Sequence, residues 1–86
     1  RKNFMATMLI RNLPNRVDDA RLREVLGEHQ VLNIEYQDDP NPNTSDRQAL
    51  VTLDMSPYEA EQLAKKYNGM ILEGRQVRIS VMHFMA

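Results

Sequence analysis

Met8-Leu9-Ile10-Arg11-Asn12-Leu13-Pro14 and Asp46-Arg47-Gln48-Ala49-Leu50-Val51-Thr52-Leu53 are the stretches whose reading decides the fold. From Ala6 to Arg11 the side chains alternate, with Met8 and Ile10 on one face and Leu9 and Arg11 on the other, which is the period of a strand covered on one side. Asn12-Leu13-Pro14-Asn15 reads as a turn, because proline cannot continue a central strand. The second stretch alternates in the same way. It predicts a strand over Gln48 to Asp54 with Ala49, Val51 and Leu53 turned inward.

Between and beyond these strands the elements follow from caps and periodicity. Asp18 or Asp19 caps a helix running to about Glu28, with Ala20 (or Leu22), Val25, Leu26 and His29 at helical spacing. Val31 to Gln37 is a strand with Leu32, Ile34 and Tyr36 inward and Asn33, Glu35 and Gln37 outward. Asp38 to Asp46, with Pro40, Pro42 and its carboxylates, has the composition of a connection. Ser56-Pro57-Tyr58-Glu59 is a capping box with proline at the first helical position. The helix it starts buries Ala60, Leu63, Ala64 and Tyr67, carries Lys65 and Lys66 at its negative end, and stops at Asn68-Gly69. Gln76 to Phe84 is the last strand, with Val77, Ile79 and Val81 inward.

The order strand-helix-strand-strand-helix-strand, with right-handed crossovers, gives a four-stranded antiparallel sheet with both helices on one face and the other face open. Eighty-six residues suffice for one small domain, residues 1–86 with a core from about 6 to 84. The chain starts at Arg1, as expected of a piece of a longer polypeptide whose other domains share its work.

This arrangement, from about Ala6 to Phe84, resembles the RNA-recognition motif (RRM). That family's first signature strand reads aliphatic, aromatic, aliphatic, any, asparagine, leucine. Met8 to Leu13 matches it apart from Leu9 in the aromatic place. Its third strand reads basic, glycine, aromatic, small, aromatic, aliphatic, any, aromatic. Asp46 to Leu53 keeps only Ala49 and Val51, with an acid first and no ring. Tyr67-Asn68-Gly69 and Glu73-Gly74-Arg75-Gln76-Val77 are similar to the family's approach to its last strand. The resemblance implies an α+β, ferredoxin-like βαββαβ sandwich and a divergent member of the family. It also implies a non-catalytic module, without a cofactor, that contacts single-stranded RNA over the open sheet.

A stacked base contributes roughly 1–3 kcal/mol on an aromatic platform. Leu9, Gln48 and Leu50 stand where the family places rings, so modest affinity is expected. The candidate contact residues are Leu9, Arg11, Gln48, Leu50, Arg78 and Met82. Each has a competing explanation. Arg11 and Arg78 could pair across strands with Glu35 or stay solvated. Leu9 and Leu50 could lie under Phe4 or Phe84, or form an apolar patch for a protein partner, the alternative function for the scaffold. Its tryptophan-peptide version needs an aromatic where Arg75-Gln76-Val77 has none. Arg47, Arg75, Lys65 and Lys66 read as ordinary surface charges.

Composition narrows the classes. Net charge is −1 and the sequence pI about 6.1, whereas a phosphate-driven binder is commonly above roughly pI 9. With no cysteine there is neither a disulfide framework nor a thiolate metal site. That composition fits an intracellular protein, in nucleus or cytoplasm. His29 and His83 form no ligand cluster, and Ser45, Ser56 and Ser80 have turn, cap and strand explanations. No apolar run reaches the roughly 18 residues of a spanning helix, and no signal peptide opens the chain, so no membrane partner is expected.

Overall fold

A computed structural model describes residues 5–27, 30–41 and 47–82 of the chain. Its elements are β1 (Ala6–Leu13), α1 (Asp19–Leu26), β2 (Val31–Asp38), β3 (Arg47–Leu53), α2 (Pro57–Tyr67), β4 (Ile71–Leu72), β5 (Arg75–Gln76) and β6 (Arg78–Met82). The main sheet has the order β2-β3-β1-β6, and every neighbouring pair is antiparallel. The ferredoxin-like layout is therefore borne out.

One face of this sheet is dry. Met8, Ile10 and Leu13 of β1, Ala49, Val51 and Leu53 of β3, and Ile79 of β6 are buried with Leu22 and Leu26 of α1 and Ala60 and Ala64 of α2. Removing this apolar surface from water is the main stabilising term of so small a domain.

Both helices begin as their caps dictate. The Asp18 carboxylate accepts a hydrogen bond from Arg21 N at 3.0 Å. At α2 the box is reciprocal: Glu59 N donates to Ser56 Oγ at 3.2 Å, and Ser56 N donates to Glu59 Oε1 at 3.0 Å. The first helix ends two residues before the expected Glu28, because Gly27 takes a positive φ of 97° and its N–H closes the last turn on Arg23 O. Ala20 is exposed and Leu22 holds the core position. Glu28 and His29 lie outside the described residues.

Two bulges change the strand readings. Between the pairs Ile10↔Ala49 and Leu13↔Arg47, β1 advances one residue more than β3. Asn12 takes up the excess with φ 67°, a conformation asparagine adopts more readily than most residues. The strand therefore continues to Leu13, which is fully buried, and the turn expected at Asn12 sits at Asn15-Arg16. Between Val31↔Leu53 and Asn33↔Thr52, β2 has one extra residue, Leu32. Val31 takes the core place and Leu32 is 49% exposed, the reverse of the simple alternation.

The last strand is shorter than expected at its start, because Arg75–Gln76 pairs with Ile71–Leu72 in a separate hairpin. Its two-residue loop, Glu73-Gly74, has φ 48° and 84°, the double positive of a type I′ turn. His83 and Phe84 lie outside the described residues.

Candidate functional site

The sheet face opposite the helices is built from three cross-strand rows. The first runs Asn33, Thr52, Thr7, Met82, and the second Glu35, Leu50, Leu9, Ser80. In the third, Gln37 faces Gln48, and past the β1 bulge Arg11 faces Arg78. All six candidate contact residues thus sit on this face.

The rows sort them into two kinds. Leu9 and Leu50 are directly opposite one another and half-buried, with Met82 exposed one row away. Phe4 and Phe84, proposed as covers for them, lie outside the described residues. Gln48 is partly spent: its Nε2 donates to Gln37 Oε1 at 3.0 Å.

At the other end of the face Arg11 and Arg78 are exposed and directly opposite. Residues so placed have Cβ atoms about 5 Å apart, and like charges there are unfavourable. Two guanidinium charges about 6 Å apart in water repel by roughly 0.7 kcal/mol. Among the described residues neither guanidinium has an ion pair or a hydrogen bond. Pairing with Glu35 does not occur, because β3 stands between β2 and β1.

Two arginines expected on the surface have structural work instead. Arg47 places its Cζ 3.8 Å from the centroid of the Tyr36 ring, and its Nη2 donates to Val17 O. Arg75 Nη2 donates to Asn12 Oδ1 at 2.9 Å, while Asn12 Nδ2 donates to Gln76 O at 2.8 Å. Asn12 thereby ties the β1 bulge to β5. It escaped the sequence reading because its signal, an asparagine just before a proline-terminated strand end, is also that of a turn.

Burial pushes the Tyr36 phenol well above its ordinary value, and the nearby Asp19 carboxylate adds to the shift. That carboxylate lies outside hydrogen-bonding geometry, so Tyr36 Oη is buried without a partner.

Glu73 is held from both sides. Arg16 Nη2 donates to its carbonyl at 2.7 Å and Arg16 Nε lies 3.6 Å from its carboxylate; Arg21 Nε lies 3.8 Å away. These contacts secure an unusual left-handed glutamate and occupy both arginines. Two shallow grooves of about 250 and 240 Å³ flank α2, the first between α2 and the edge strand β6 at Ile79-Ser80-Val81, the second beside Met55 and Leu63. Among the described residues no group of three His, Asp or Glu could hold a metal ion, and no helix is long and apolar enough to cross a membrane.

Neither a protein-family model nor a curated protein matches this sequence. Solved structures do match its fold. The first two RRM domains of yeast poly(U)-binding protein (Pub1) align over 98% of this chain with a TM-score of 0.71 and 20% identity. The chain spans 51% of that two-domain structure. RNA binding protein PG1 aligns over 94% of this chain and 98% of its own, with TM-score 0.72 and 16% identity. The second RRM domain of Pub1, with the same coverages, gives 0.68 and 21%. The chain therefore has the RRM-like fold.

Proposed function

We propose that the chain is a non-catalytic module of divergent RRM type that binds single-stranded RNA over its open sheet face. The observation that carries this reading is the exposed Arg11–Arg78 pair, two like charges set side by side on the face that the helices leave bare. A polyanion relieves their repulsion, and an arginine plane can also stack on a base. Proteins of similar fold include a poly(U)-binding protein and an RNA binding protein, which supports the same class of ligand.

The binding is modest. With Leu9, Gln48 and Leu50 in place of rings, little stacking remains, and Gln48 already has a side-chain partner. A dissociation constant on the order of 10⁻⁵ M or weaker is expected at physiological salt, in the range of non-specific contacts. Further modules of a longer chain would raise it through avidity.

The test is a titration of short single-stranded RNAs at low and at physiological salt, followed by amide shifts. Shifts on β1, β3 and β6 that fade with salt support the proposal. An unresponsive sheet at low salt with every pool rejects it, and leaves the apolar end, Leu9, Leu50 and Met82, as a contact for a protein.

A further inference from the structure

We infer that Arg11 and Arg78 act together as a clamp on a single phosphate of the bound strand, and that this clamp, in place of a ring, fixes where the strand lies on the sheet. The inference rests on the RNA reading above and specifies how that site works.

The register brings the two side chains together from neighbouring strands. Arg11 keeps the regular β1–β6 register, next to Ile10↔Ile79, and the bulge that follows at Asn12 is pinned by Asn12 Nδ2 on Gln76 O and by Arg75 on Asn12 Oδ1. The carboxylate of Glu73 is engaged by Arg16 and Arg21, and Glu35 lies two strands from Arg11. Among the described residues, then, no carboxylate pairs with the two guanidiniums. Each is a planar fork suited to a pair of phosphate oxygens, and a phosphodiester offers two unesterified ones.

Charge is sorted along the sheet in a way that confines the ligand. Arg11 and Arg78 occupy β1 and β6, while β2 at the opposite edge carries Glu35 on the same face. A strand held at the arginines is attracted over β1 and β6 and repelled over β2. The half-buried Leu9 beside Ser80 gives this half a mixed floor for a base and a sugar without a stacking ring.

A clamp on one phosphate has a thermodynamic signature. For single strands each neutralised phosphate contributes about 0.7 to the slope of log K against log salt. If both arginines serve the same phosphate, either one alone still neutralises its single charge, so the slope falls only when both are lost. The experiment measures binding of a fluorescent mixed-sequence single-stranded oligoribonucleotide across a salt series. The proteins are the wild type, Arg11→Gln, Arg78→Gln and the double variant, with amide spectra confirming that each remains folded. The expected result is a slope nearly unchanged in each single variant and reduced by about 0.7 in the double. Affinity at low salt should fall on the order of tenfold in each single variant and further in the double. Amide shifts on RNA addition should cover β1 and β6 and spare β2.

Slopes that fall additively, by about 1.4 in the double variant, mean two separate phosphates and overturn the clamp while leaving RNA binding intact. An unchanged slope in the double variant overturns it too. A wild type that does not bind RNA even at low salt overturns the RNA reading itself, a result distinct from the other two.

Discussion

Replacing Asn12 tests whether a single side chain holds the bulge that follows Arg11. Its amide makes two hydrogen bonds, Nδ2 to Gln76 O at 2.8 Å and Oδ1 from Arg75 Nη2 at 2.9 Å. The first is exposed and the second part-buried, and each contributes about 1 kcal/mol net. The backbone adds a second cost, since at φ 67° an alanine carries about 1 kcal/mol of steric strain that glycine avoids. Asn12→Ala should therefore destabilise the domain by about 3 kcal/mol, and Asn12→Gly by about 2 kcal/mol. In a domain of this size the alanine variant would melt about 12–24 °C lower. Urea denaturation of the three proteins, with equal m-values confirming a common unfolding transition, gives the comparison. If glycine costs as much as alanine, no strain resides at this position. If both cost less than about 0.5 kcal/mol, the two hydrogen bonds do not hold the bulge.

Three other outcomes follow from the same geometry. Ser56→Ala, which removes the acceptor for Glu59 N, should cost about 1 kcal/mol in thermal unfolding, and an unchanged melting point would show that Pro57 alone starts the helix. Leu32→Ser should stay within about 0.5 kcal/mol of wild type while Val31→Ala costs about 1–3 kcal/mol, and the opposite ranking in urea would remove the β2 bulge. Tyr36→Phe deletes a buried hydroxyl without a partner, so stability at neutral pH should be unchanged or up to about 1 kcal/mol higher. Because the folded phenol titrates above its unfolded value of about 10, its contribution is complete below that pH and is lost as pH rises further. The phenylalanine variant should lose less stability between neutral and strongly alkaline pH, and an equal loss in both proteins would count against the shift.

The sheet, its inward face and both helix starts were legible because each rests on local chemistry. Ala49, Val51 and Leu53 alternate without interruption, and Ser56-Pro57-Tyr58-Glu59 specifies a helix start by itself. The bulges were not legible. Leu32 and Val31 are both good strand residues with apolar side chains, and only pairing with Leu53 and Thr52 decides which one enters the core. Asn12 was hidden for a related reason: its partners, Gln76 O and Arg75, lie more than sixty residues away. Arg47 and Arg75 carried a charge that the sequence could only assign to the surface. The Tyr36 ring and the Asn12 amide that receive them are tertiary facts. At the open face, alternation alone placed Leu9, Arg11, Leu50 and Arg78. That Arg11 and Arg78 are opposite is a matter of register between β1 and β6, which alternation does not give.

The net charge of −1 and the proposed phosphate contact are compatible because they act over different distances. At physiological salt, exposed charges are screened beyond about 8 Å. A phosphate seated on Arg11 and Arg78 is within reach of both, whereas Glu35 stands two strand spacings from Arg11, about 10 Å away. The local sign is therefore positive even though the sum over the chain is not. Long-range steering, by contrast, follows the summed field, and a chain this close to neutral exerts little on an approaching polyanion. On the proposed reading, encounter with RNA is governed by diffusion and retention by the two guanidiniums. An acidic pI argues against a protein that gathers RNA from a distance, but not against one that holds a strand already delivered by a neighbouring domain.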